Sequence, residues 1–451
     1  MIIQLSIPLK LSEICKYGNA ILRTDYNPVV ERIITDSREA KKDDIFICLN
    51  GEKENGTSYI DDARSRGALT ISEFGAGADA ECKNVEDFLL FLSGAYISLL
   101  KKLKYRIAIT GSVGKTTTKE FIYVLCSNKL SAHKNYGNYN NYLGFSATVL
   151  SAPADTEIII AEMGMNSSGE ISRLSRAFKP THSIITNIGH AHIGKLGTIS
   201  DIAKAKLEIL DGAVTNFLIV PYGEPLLSSK GSLFYSITDK KAERYLCYIN
   251  GKINYYENGK LTLSAKSELF AEHHLSALLI AIAIASELGI YHTEISNNIP
   301  NIRVDILRQK THLIYGINII DDTYSSSPEA VIAEIKSLKR SGRMFSLLLG
   351  DMLELGDNAI FEHRKIGTIA YKSGARHIYT FGHLASHIAA GAEEAGMSRS
   401  DIFINEDISD PKKSAYDILN SSQKGEYVLI KASHALHAER IIEHLKDLSN
   451  A

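Results

Sequence analysis

A glycine-containing turn followed by a lysine and three threonines is the feature of this sequence with the most direct chemical meaning. It reads Thr110-Gly111-Ser112-Val113-Gly114-Lys115-Thr116-Thr117-Thr118. A strand-like run precedes it and a helical pattern follows, so backbone N–H groups and the positive helix end would converge on an anion. We therefore predict that residues 111–117 bind nucleotide phosphates. Lys115 is the predicted catalytic contact to the terminal phosphates, and the Thr116 hydroxyl a predicted Mg²⁺ ligand.

The turn departs from the usual Gly-x-x-x-x-Gly-Lys-[Ser/Thr] spacing, because Ala108 and Ile109 stand where the first glycine is expected. A simpler alternative is that the glycines only join a strand to a helix and that Lys115 is solvated. The ordered context of strand, turn and helix favours the nucleotide site.

The composition is that of an ordinary globular protein of about three domains, at roughly 150 residues each. The chain has 451 residues, of which 45% are hydrophobic and 23% charged, and its formal net charge is -2. No excess of positive charge is available for sequence-independent binding to nucleic acid. We see neither a membrane-spanning apolar run nor a targeting segment, and expect a cytoplasmic protein. The five scattered cysteines predict small buried residues.

Apolar runs that alternate with helical patterns predict an α/β protein with three domains. We expect a small N-terminal α/β domain over residues 1–100, a central P-loop domain with a mostly parallel sheet over residues 101–300, and a C-terminal Rossmann-like α/β domain over residues 301–451. Asn-Gly pairs at residues 250–251 and 258–259 separate strand-like runs. They predict an antiparallel appendage to the central sheet over residues 235–264.

Four further motifs follow the phosphate turn along the chain. They read Gly137-Asn138-Tyr139-Asn140-Asn141, Glu162-Met163-Gly164-Met165, Thr186-Asn187-Ile188-Gly189-His190-Ala191-His192 and Ala203-Lys204-Ala205-Lys206. With the short phosphate turn, they resemble the central-domain motifs of the Mur ligases, the ATP-dependent amide-forming enzymes of cell-wall precursor synthesis. The resemblance implies that ATP phosphorylates a carboxylate, that an amine attacks the acyl phosphate, and that Mg²⁺ takes part.

The outer domains carry resemblances of their own. Thr35-Asp36-Ser37-Arg38 looks like part of the UDP-binding domain of the family, and residues 350–356 with His363 look like the signature of the members that add D-alanyl-D-alanine. The resemblance implies two substrates for peptidoglycan synthesis, UDP-MurNAc-tripeptide and D-Ala-D-Ala or a related dipeptide. We expect a monomer.

The resemblance also implies the metal ligands. It makes Glu162 a Mg²⁺ ligand, gives His192 a catalytic place at a second metal ion, and matches Lys206 to a catalytic lysine that several relatives carry as a metal-binding carbamate. Magnesium is preferred to zinc, because no cysteine or third histidine stands at zinc spacing near His190 and His192. Carbamylation of Lys206 stays open, as does a purely structural role for Glu162 or His192.

The remaining candidates are polar residues with weaker signals. We predict substrate contacts from Ser37, Arg38, Asn138 and Asn141, and nucleotide contacts from Arg303, Asp322 and Tyr324. Asparagines in this density also form turns, and an Asp-Ser pair also caps helices, so structural roles stay open.

Several family positions are changed, and these changes keep other functions open. His274 and Ala277 replace asparagines expected near the adenine, and His434 replaces an arginine expected in the third domain. Neutral imidazole cannot bind a carboxylate bidentately as guanidinium does. The competing hypotheses are an amide ligase of the same family with a different amine substrate, and a P-loop regulatory protein without ligase activity.

Overall fold

The computed structural model describes three α/β domains, each built on its own sheet, as the sequence predicts. It describes residues 1–51, 55–137, 139–189, 193–267, 269, 272–302, 310–323, 326–353 and 355–450. Within these residues no helix is long and apolar enough to cross a membrane.

The first domain contains a six-stranded mixed sheet. Its strands are β1 (Ile2–Lys10), β2 (Ile21–Leu22), β3 (Val29–Ile34), β4 (Ile45–Ile47), β5 (Leu69–Glu73) and β6 (Ala80–Cys82), and its helices are α1 (Leu11–Gly18), α2 (Ile60–Ser65) and α3 (Val85–Ile97). The strand order is β1-β3-β4-β5-β6-β2. The strands from β3 to β6 are parallel, whereas β1 and β2 pair antiparallel at the two edges.

The central domain contains a nine-stranded sheet. Its strands are β7 (Tyr105–Thr110), β8 (Ala132–Lys134), β9 (Ile158–Glu162), β10 (His182–Ile185), β11 (Leu218–Pro221), β12 (Leu233–Ser236), β13 (Arg244–Ile249), β14 (Lys252–Glu257) and β15 (Lys260–Lys266). Its helices are α4 (Lys115–Cys126), α5 (Tyr142–Leu150), α6 (Glu170–Phe178), α7 (Ile193–Leu196), α8 (Ile199–Leu207), α9 (Glu272–Glu287) and α10 (His292–Asn298). The order is β15-β14-β13-β12-β11-β10-β7-β9-β8.

Helices cover both faces of the central sheet. Helices α4 and α9 pack together on one face, while α5 and α6 lie on the other and also contact α3 of the first domain. Strand β9 is buried along its whole length, and the four residues of β7 that precede the phosphate turn are buried as well. Such continuous apolar runs are typical of parallel strands covered on both faces.

The antiparallel appendage is shorter than predicted. Strands β13, β14 and β15 pair antiparallel through two-residue turns, and both residues of each predicted Asn-Gly pair have positive φ. Strand β12, which contains Tyr235, instead pairs in parallel with β11 and β13. The prediction is therefore wrong for residues 235–243, because an apolar run alone does not distinguish parallel from antiparallel pairing.

The third domain contains a six-stranded sheet with one antiparallel edge. Its strands are β16 (Lys310–Ile314), β17 (Ile317–Asp322), β18 (Phe345–Gly350), β19 (Ile378–Phe381), β20 (Ile402–Asn405) and β21 (Tyr427–Lys431), and its helices are α11 (Pro328–Arg340), α12 (Ala359–Lys372), α13 (Ser386–Glu394), α14 (Pro411–Ser421) and α15 (Glu439–Asn450). The order is β16-β17-β21-β18-β19-β20, and only β16 runs antiparallel to its neighbour.

The cysteines follow the predicted pattern with one exception. Four are buried, whereas Cys247 is half-buried. Cys247 lies on β13 and lines an open cavity of about 620 Å³ between the central and third domains. The prediction that every cysteine is buried is wrong here, because this end of the sheet faces an interdomain space.

Candidate active site

The candidate site lies at the carboxyl edge of the central sheet, where β9, β7 and β10 end side by side. The phosphate turn follows β7, Glu162 is the last residue of β9, and Thr186 and Asn187 follow β10. Because the three strands are parallel neighbours, their ends bring the separate motifs together. Lys206 on α8 belongs to the same region, since it is close enough to Lys115 for the charge of Lys115 to lower its pKa.

Two glycines determine the path of the phosphate turn. Gly111 has φ of +146° and lies so close to Thr186 that a Cβ atom would stand 1.9 Å from Oγ1. Gly114 precedes α4 with φ of +82° and ψ of 0°. Glycine adopts both conformations without strain. The first N–H groups of α4, which have no carbonyl partner within the helix, thus lie at the sheet edge, where an anion can bind them.

Asn187 fixes the conformation of this turn. Its Oδ1 accepts hydrogen bonds from the backbone N–H groups of Ser112 and Val113, both at 3.0 Å. Thr186 Oγ1 donates to the Val113 carbonyl at 2.6 Å, and the Gly189 N–H donates to Ser112 Oγ at 2.8 Å. Asn187 stands in a predicted motif but had no predicted role. Its contact depends on β10 lying beside β7, which the motif alone does not show.

Lys115 lies at the start of α4, and its side chain turns back over the phosphate turn. Nζ donates to the Gly111 carbonyl at 2.8 Å. The ammonium group therefore lies at the turn, where it can neutralise the charge of a bound phosphate. The structure thus brings together the turn, Lys115, Thr116 and Thr117.

Glu162 is buried, and both of its carboxylate oxygens accept hydrogen bonds. Oε2 accepts from the Thr116 hydroxyl at 2.8 Å, and Oε1 accepts from Asn140 Nδ2 at 3.0 Å. The backbone N–H of Glu162 donates to Asn135 Oδ1 at 3.0 Å. Thr116 and Glu162, both predicted as Mg²⁺ ligands, are therefore adjacent. A hydroxyl and a carboxylate are oxygen donors that suit a hard cation, so these residues fit the predicted ion.

Lys206 is buried, with only 2% of its surface exposed. Within the part of the chain that the structure describes, its side chain has no hydrogen bond or ion pair. Burial and the nearby charge of Lys115 hold the pKa of Lys206 well below its ordinary value. The neighbouring Lys204 is 73% exposed in its side chain and pairs with Asp201 at 3.1 Å. The predicted difference between the two lysines is confirmed.

Four predicted site residues lie outside the residues that the structure describes. They are Asn138, His192, Arg303 and Tyr324. Their proposed contacts to substrate, metal and nucleotide stay predictions.

Three other predicted substrate contacts have clear structural roles. Asn141 caps α5, with Oδ1 accepting from the Gly144 N–H at 2.9 Å. Arg38 pairs with Asp36 at 2.7 Å and its hydrogen bonds lower the pKa of Asp36 to about 2, while Ser37 is buried in the 3₁₀ turn that Asp36 caps. The cap on α5 uses only Oδ1 of Asn141, so its Nδ2 can donate to another partner.

In the third domain, Asp322 lies at the end of β17 and forms a buried ion pair with Lys431 at the end of β21. The predicted nucleotide contact of Asp322 would therefore share its carboxylate with Lys431. His434, which replaces the arginine expected in this region, is exposed.

The loop after β18 is fixed by buried polar contacts. His363 Nε2 accepts from the Met352 N–H at 3.0 Å, and Nδ1–H donates to the Ala359 carbonyl at 2.7 Å. Asp351 Oδ1 accepts from the Ala385 N–H at 2.7 Å, and Ser433 Oγ donates to the Asp351 carbonyl at 2.8 Å. These contacts hold Asp351 and Met352, in the described part of the loop with the predicted amine-substrate signature, at the carboxyl edge of its sheet.

His274 takes the place expected for an adenine-binding asparagine. It lies on α9, is 7% exposed, and its ring stands 6.4 Å from that of Phe121 on α4. Burial, together with the adjacent His273, lowers the pKa of His274 well below its ordinary value. A buried neutral imidazole can donate or accept one hydrogen bond, which differs from the paired donor and acceptor of an asparagine amide.

Besides Asn187, three polar residues at the site were missed by the sequence predictions. Asn140 contacts Glu162, Asn135 accepts from the Glu162 N–H, and Lys119 is fully buried one turn after Lys115 on α4. The spacing of Lys115 and Lys119, four residues apart on one helix, was the available signal, because it places them on the same face.

Comparison with protein families gives two matches. Residues 109–285 match the Mur ligase middle domain, and residues 303–434 match the Mur ligase glutamate ligase domain. Together they cover more than half of the chain.

Individual proteins are similar over nearly the whole chain. UDP-N-acetylmuramoyl-tripeptide--D-alanyl-D-alanine ligase of Bacillus subtilis (strain 168) is 31% identical over 445 residues, with 92% of this chain and 93% of that protein covered. The MurF ligase of Thermotoga maritima in complex with ADP has a TM-score of 0.81 at 25% identity, covering 93% of this chain and 97% of that one. MurF from Acinetobacter baumannii has a TM-score of 0.87 at 23% identity, covering 98% and 100%, and shows the same fold.

Proposed function

The chain belongs to the Mur ligase family, and we propose that it is the ATP-dependent ligase that joins D-alanyl-D-alanine to UDP-N-acetylmuramoyl-tripeptide in peptidoglycan precursor synthesis. The similarity to the Bacillus subtilis ligase extends over 92% of the chain. The single observation that carries the proposal is the phosphate turn, in which Lys115 and the start of α4 meet the Thr116 and Glu162 pair.

The proposed reaction has two steps. The terminal carboxylate of the tripeptide attacks the γ-phosphorus of ATP, which forms an acyl phosphate and releases ADP. The free amine of the dipeptide then attacks the acyl carbon, so that a C–N bond forms, the C–O bond to phosphate breaks and the amine loses a proton. Lys115 and the amides of the phosphate turn bind and neutralise the phosphates, because phosphoryl transfer depends on positioning and charge neutralisation.

The residues for the metal ion are part of the same proposal. Thr116 and Glu162 would bind Mg²⁺, together with Lys206 as a carbamate and His192, which lies outside the described residues. When bound, Mg²⁺ screens the negative oxygens of the transferring phosphoryl group. Without the carbamate, the Lys206 amine is buried and has no hydrogen-bond partner among the described residues.

The proposal also includes the domain organisation, the location and the oligomeric state. We place the domain boundaries near residues 100 and 300, and assign the first domain to the UDP moiety and the third to the amine substrate. We also propose that the enzyme is cytoplasmic, since both nucleotide substrates are, and that it acts as a monomer.

Phosphate release distinguishes this proposal from its competitors. We expect release only when ATP, UDP-MurNAc-tripeptide and D-Ala-D-Ala are all present, and none from a Lys115→Ala variant. Release with another dipeptide or depsipeptide but not with D-Ala-D-Ala would identify a different amine substrate. Hydrolysis of ATP independent of both other substrates would favour a regulatory P-loop protein and contradict the proposal.

A further inference from the structure

Lys119 is a fully buried lysine that the proposed reaction does not use. It lies on α4, one helical turn after Lys115, and its side chain is 0% exposed. Lysine is among the residues least often buried, because removing its charge from water is costly. An aliphatic side chain would fill the same space without that cost. What the lysine contributes beyond an aliphatic chain is therefore its set of hydrogen bonds and an ion pair with Glu120 at 3.3 Å, which is part of a charge cluster with Lys134.

Those hydrogen bonds go to the loop after β8, which we call the Asn135 loop because it begins at Asn135. Asn135 and Asn140 of this loop contact Glu162. Lys119 Nζ donates to the backbone carbonyls of Asn135 at 2.9 Å and Gly137 at 2.5 Å. The Asn135 side chain links this same loop to β9, because its Oδ1 accepts from the Glu162 N–H at 3.0 Å. Its Nδ2 donates to the Tyr139 carbonyl at 3.1 Å, within the loop.

These contacts close into a ring with the candidate metal ligands. Thr116 and Lys119 are three residues apart on α4 and so share a face of the helix. Starting from Thr116, the ring passes along α4 to Lys119, then to Asn135, to Glu162, and back to the Thr116 hydroxyl at 2.8 Å. A second branch fixes the other oxygen of Glu162 through Asn140, whose carbonyl accepts from the Gly164 N–H at 2.9 Å.

We propose that Lys119 is a positioning residue that ties the Asn135 loop to α4 and thereby sets the carboxylate of Glu162 for Mg²⁺ binding beside the nucleotide. This inference rests on the proposed function and assigns it a residue that no predicted motif includes. Without Lys119, the buried Asn135 carbonyl and the Gly137 carbonyl lose their donor, and the loop that supports Glu162 is no longer linked to α4. Lys115 remains in place, so nucleotide binding that does not depend on Mg²⁺ is retained.

The test measures binding of a non-hydrolysable ATP analogue to the full chain by calorimetry, in a series of Mg²⁺ concentrations and in excess chelator. We expect Lys119→Met to bind the analogue in chelator as the unmodified protein does. The Mg²⁺ concentration needed for half of the gain in affinity should rise about tenfold, as is typical when a group that orients a metal ligand is lost. Binding in the absence of Mg²⁺ is the readout that a general loss of structure would also lower.

Lys134→Met is the matched control. Lys134 belongs to the same charge cluster, since it forms an ion pair with Glu120, but no hydrogen bond joins it to the loop or to Glu162 among the described residues. We expect this variant to keep the Mg²⁺ dependence of the unmodified protein.

Asn135→Ala removes the hydrogen bond between the Glu162 N–H and the Asn135 side chain, the next contact of the ring, without removing a charge. We expect the same rise in the Mg²⁺ requirement, and this variant decides the question if Lys119→Met does not fold. An unchanged Mg²⁺ requirement in Asn135→Ala, or in a folded Lys119→Met, overturns the proposal. Because these measurements need neither the tripeptide nor the dipeptide, a failure of the proposed ligation would appear only in the phosphate-release assay.

Discussion

Lys206 differs from an ordinary lysine in the three properties that decide its chemistry. It is buried, its side chain has no hydrogen bond among the described residues, and the charge of Lys115 acts on it. The lowered pKa increases the fraction of uncharged amine at neutral pH, and the uncharged amine is the form that reacts with CO₂. Carbamylation would replace a disfavoured cation by an anion next to Lys115 and would supply an oxygen ligand.

We predict that Lys206→Ala lowers kcat by about 10- to 100-fold, the range typical of lost metal-site support. Removal of CO₂ should lower the activity of the unmodified enzyme, and bicarbonate should restore it there but not in the variant. With ¹³C-labelled bicarbonate, a carbamate resonance should appear in the unmodified protein and in Lys204→Ala, whose exposed side chain serves as the control. Full activity of Lys206→Ala would exclude a role for the carbamate.

The hydrogen bonds of His363 predict how the stability of the third domain depends on pH. Its neutral ring donates through Nδ1 and accepts through Nε2, and only the neutral form can do both. Burial lowers the pKa of His363 in the folded protein. As the pH falls below about 6.5, the unfolded chain takes up a proton at this position before the folded chain does, so the stability of the third domain decreases.

The expected result is that His363→Gln, which cannot titrate, loses less stability between about pH 7.5 and 5.5 than the unmodified protein. Denaturation is followed by circular dichroism, because the chain has no tryptophan. The half-buried His133 and His182 and the buried His274, whose pKa values desolvation also lowers, leave a remaining dependence on pH. The variant His383→Gln is the control, because the His383 side chain is exposed. If the stability of His363→Gln depends on pH as strongly as that of the unmodified protein, His363 does not cause the pH dependence.

At the level of residues, the sequence predicts those side-chain environments that depend only on spacing within one helix or strand. The positions of Lys204 and Lys206, two residues apart on a helix, predict opposite environments, and the structure shows them. Asn187 and Asn135 could not be found in this way, because each acts on a residue from a different strand or turn. Their roles follow from strand order, which local sequence does not specify.

At the level of elements, the junction of β7 and α4 depends on two glycines with different requirements. A Cβ at Gly111 would overlap Thr186, whose hydroxyl binds the Val113 carbonyl, whereas a Cβ at Gly114 meets no atom within 4 Å. A side chain at Gly111 must therefore move the turn or β10, while a side chain at Gly114 adds only the strain of a left-handed conformation.

We predict that Gly111→Ala reduces affinity for the ATP analogue by about 100-fold, since a displacement of the order of 1 Å in a positioning group has effects of that size. Gly114→Ala should cost ~1 to 2 kcal/mol of stability and keep most of the affinity. Calorimetric titration of both folded variants gives the comparison. Similar losses in the two variants would show that steric contact with Thr186 does not set the shape of the turn.

The elements themselves were predictable to different degrees. Apolar runs over residues 107–110, 157–161, 182–186 and 217–220 predict strands, and β7, β9, β10 and β11 coincide with them within two residues. The two Asn-Gly turns also occur where the sequence predicts them. The short edge strands β8 and β16 were not predicted, because their sequences contain polar residues and their pairing is a tertiary effect.

At the level of the whole molecule, the third domain contacts the central domain through helices α11 and α9. His273 Nε2 lies 3.4 Å from a Glu334 carboxylate oxygen, and Arg340 of α11 pairs with Glu272 of α9. The connection between the domains includes residues 303–309, which lie outside the described residues, and we predict the hinge near residues 298–303. Domain closure would exclude water from the acyl phosphate, which water would otherwise hydrolyse.

A disulfide between Gly194→Cys and Gly356→Cys tests whether the third domain must move. An ideal Cβ at Gly356 stands 3.1 Å from Gly194 Cα, so the two positions are in direct contact across the domains. We expect the oxidised double variant to bind the ATP analogue but to lose at least about tenfold in turnover, since a fixed domain impedes substrate entry and product release. Reduction should restore turnover, and each single variant, which controls for strain at Gly356, should be insensitive to oxidation. Unchanged turnover in the fully cross-linked protein would mean that catalysis proceeds with these two domains fixed in the arrangement seen here.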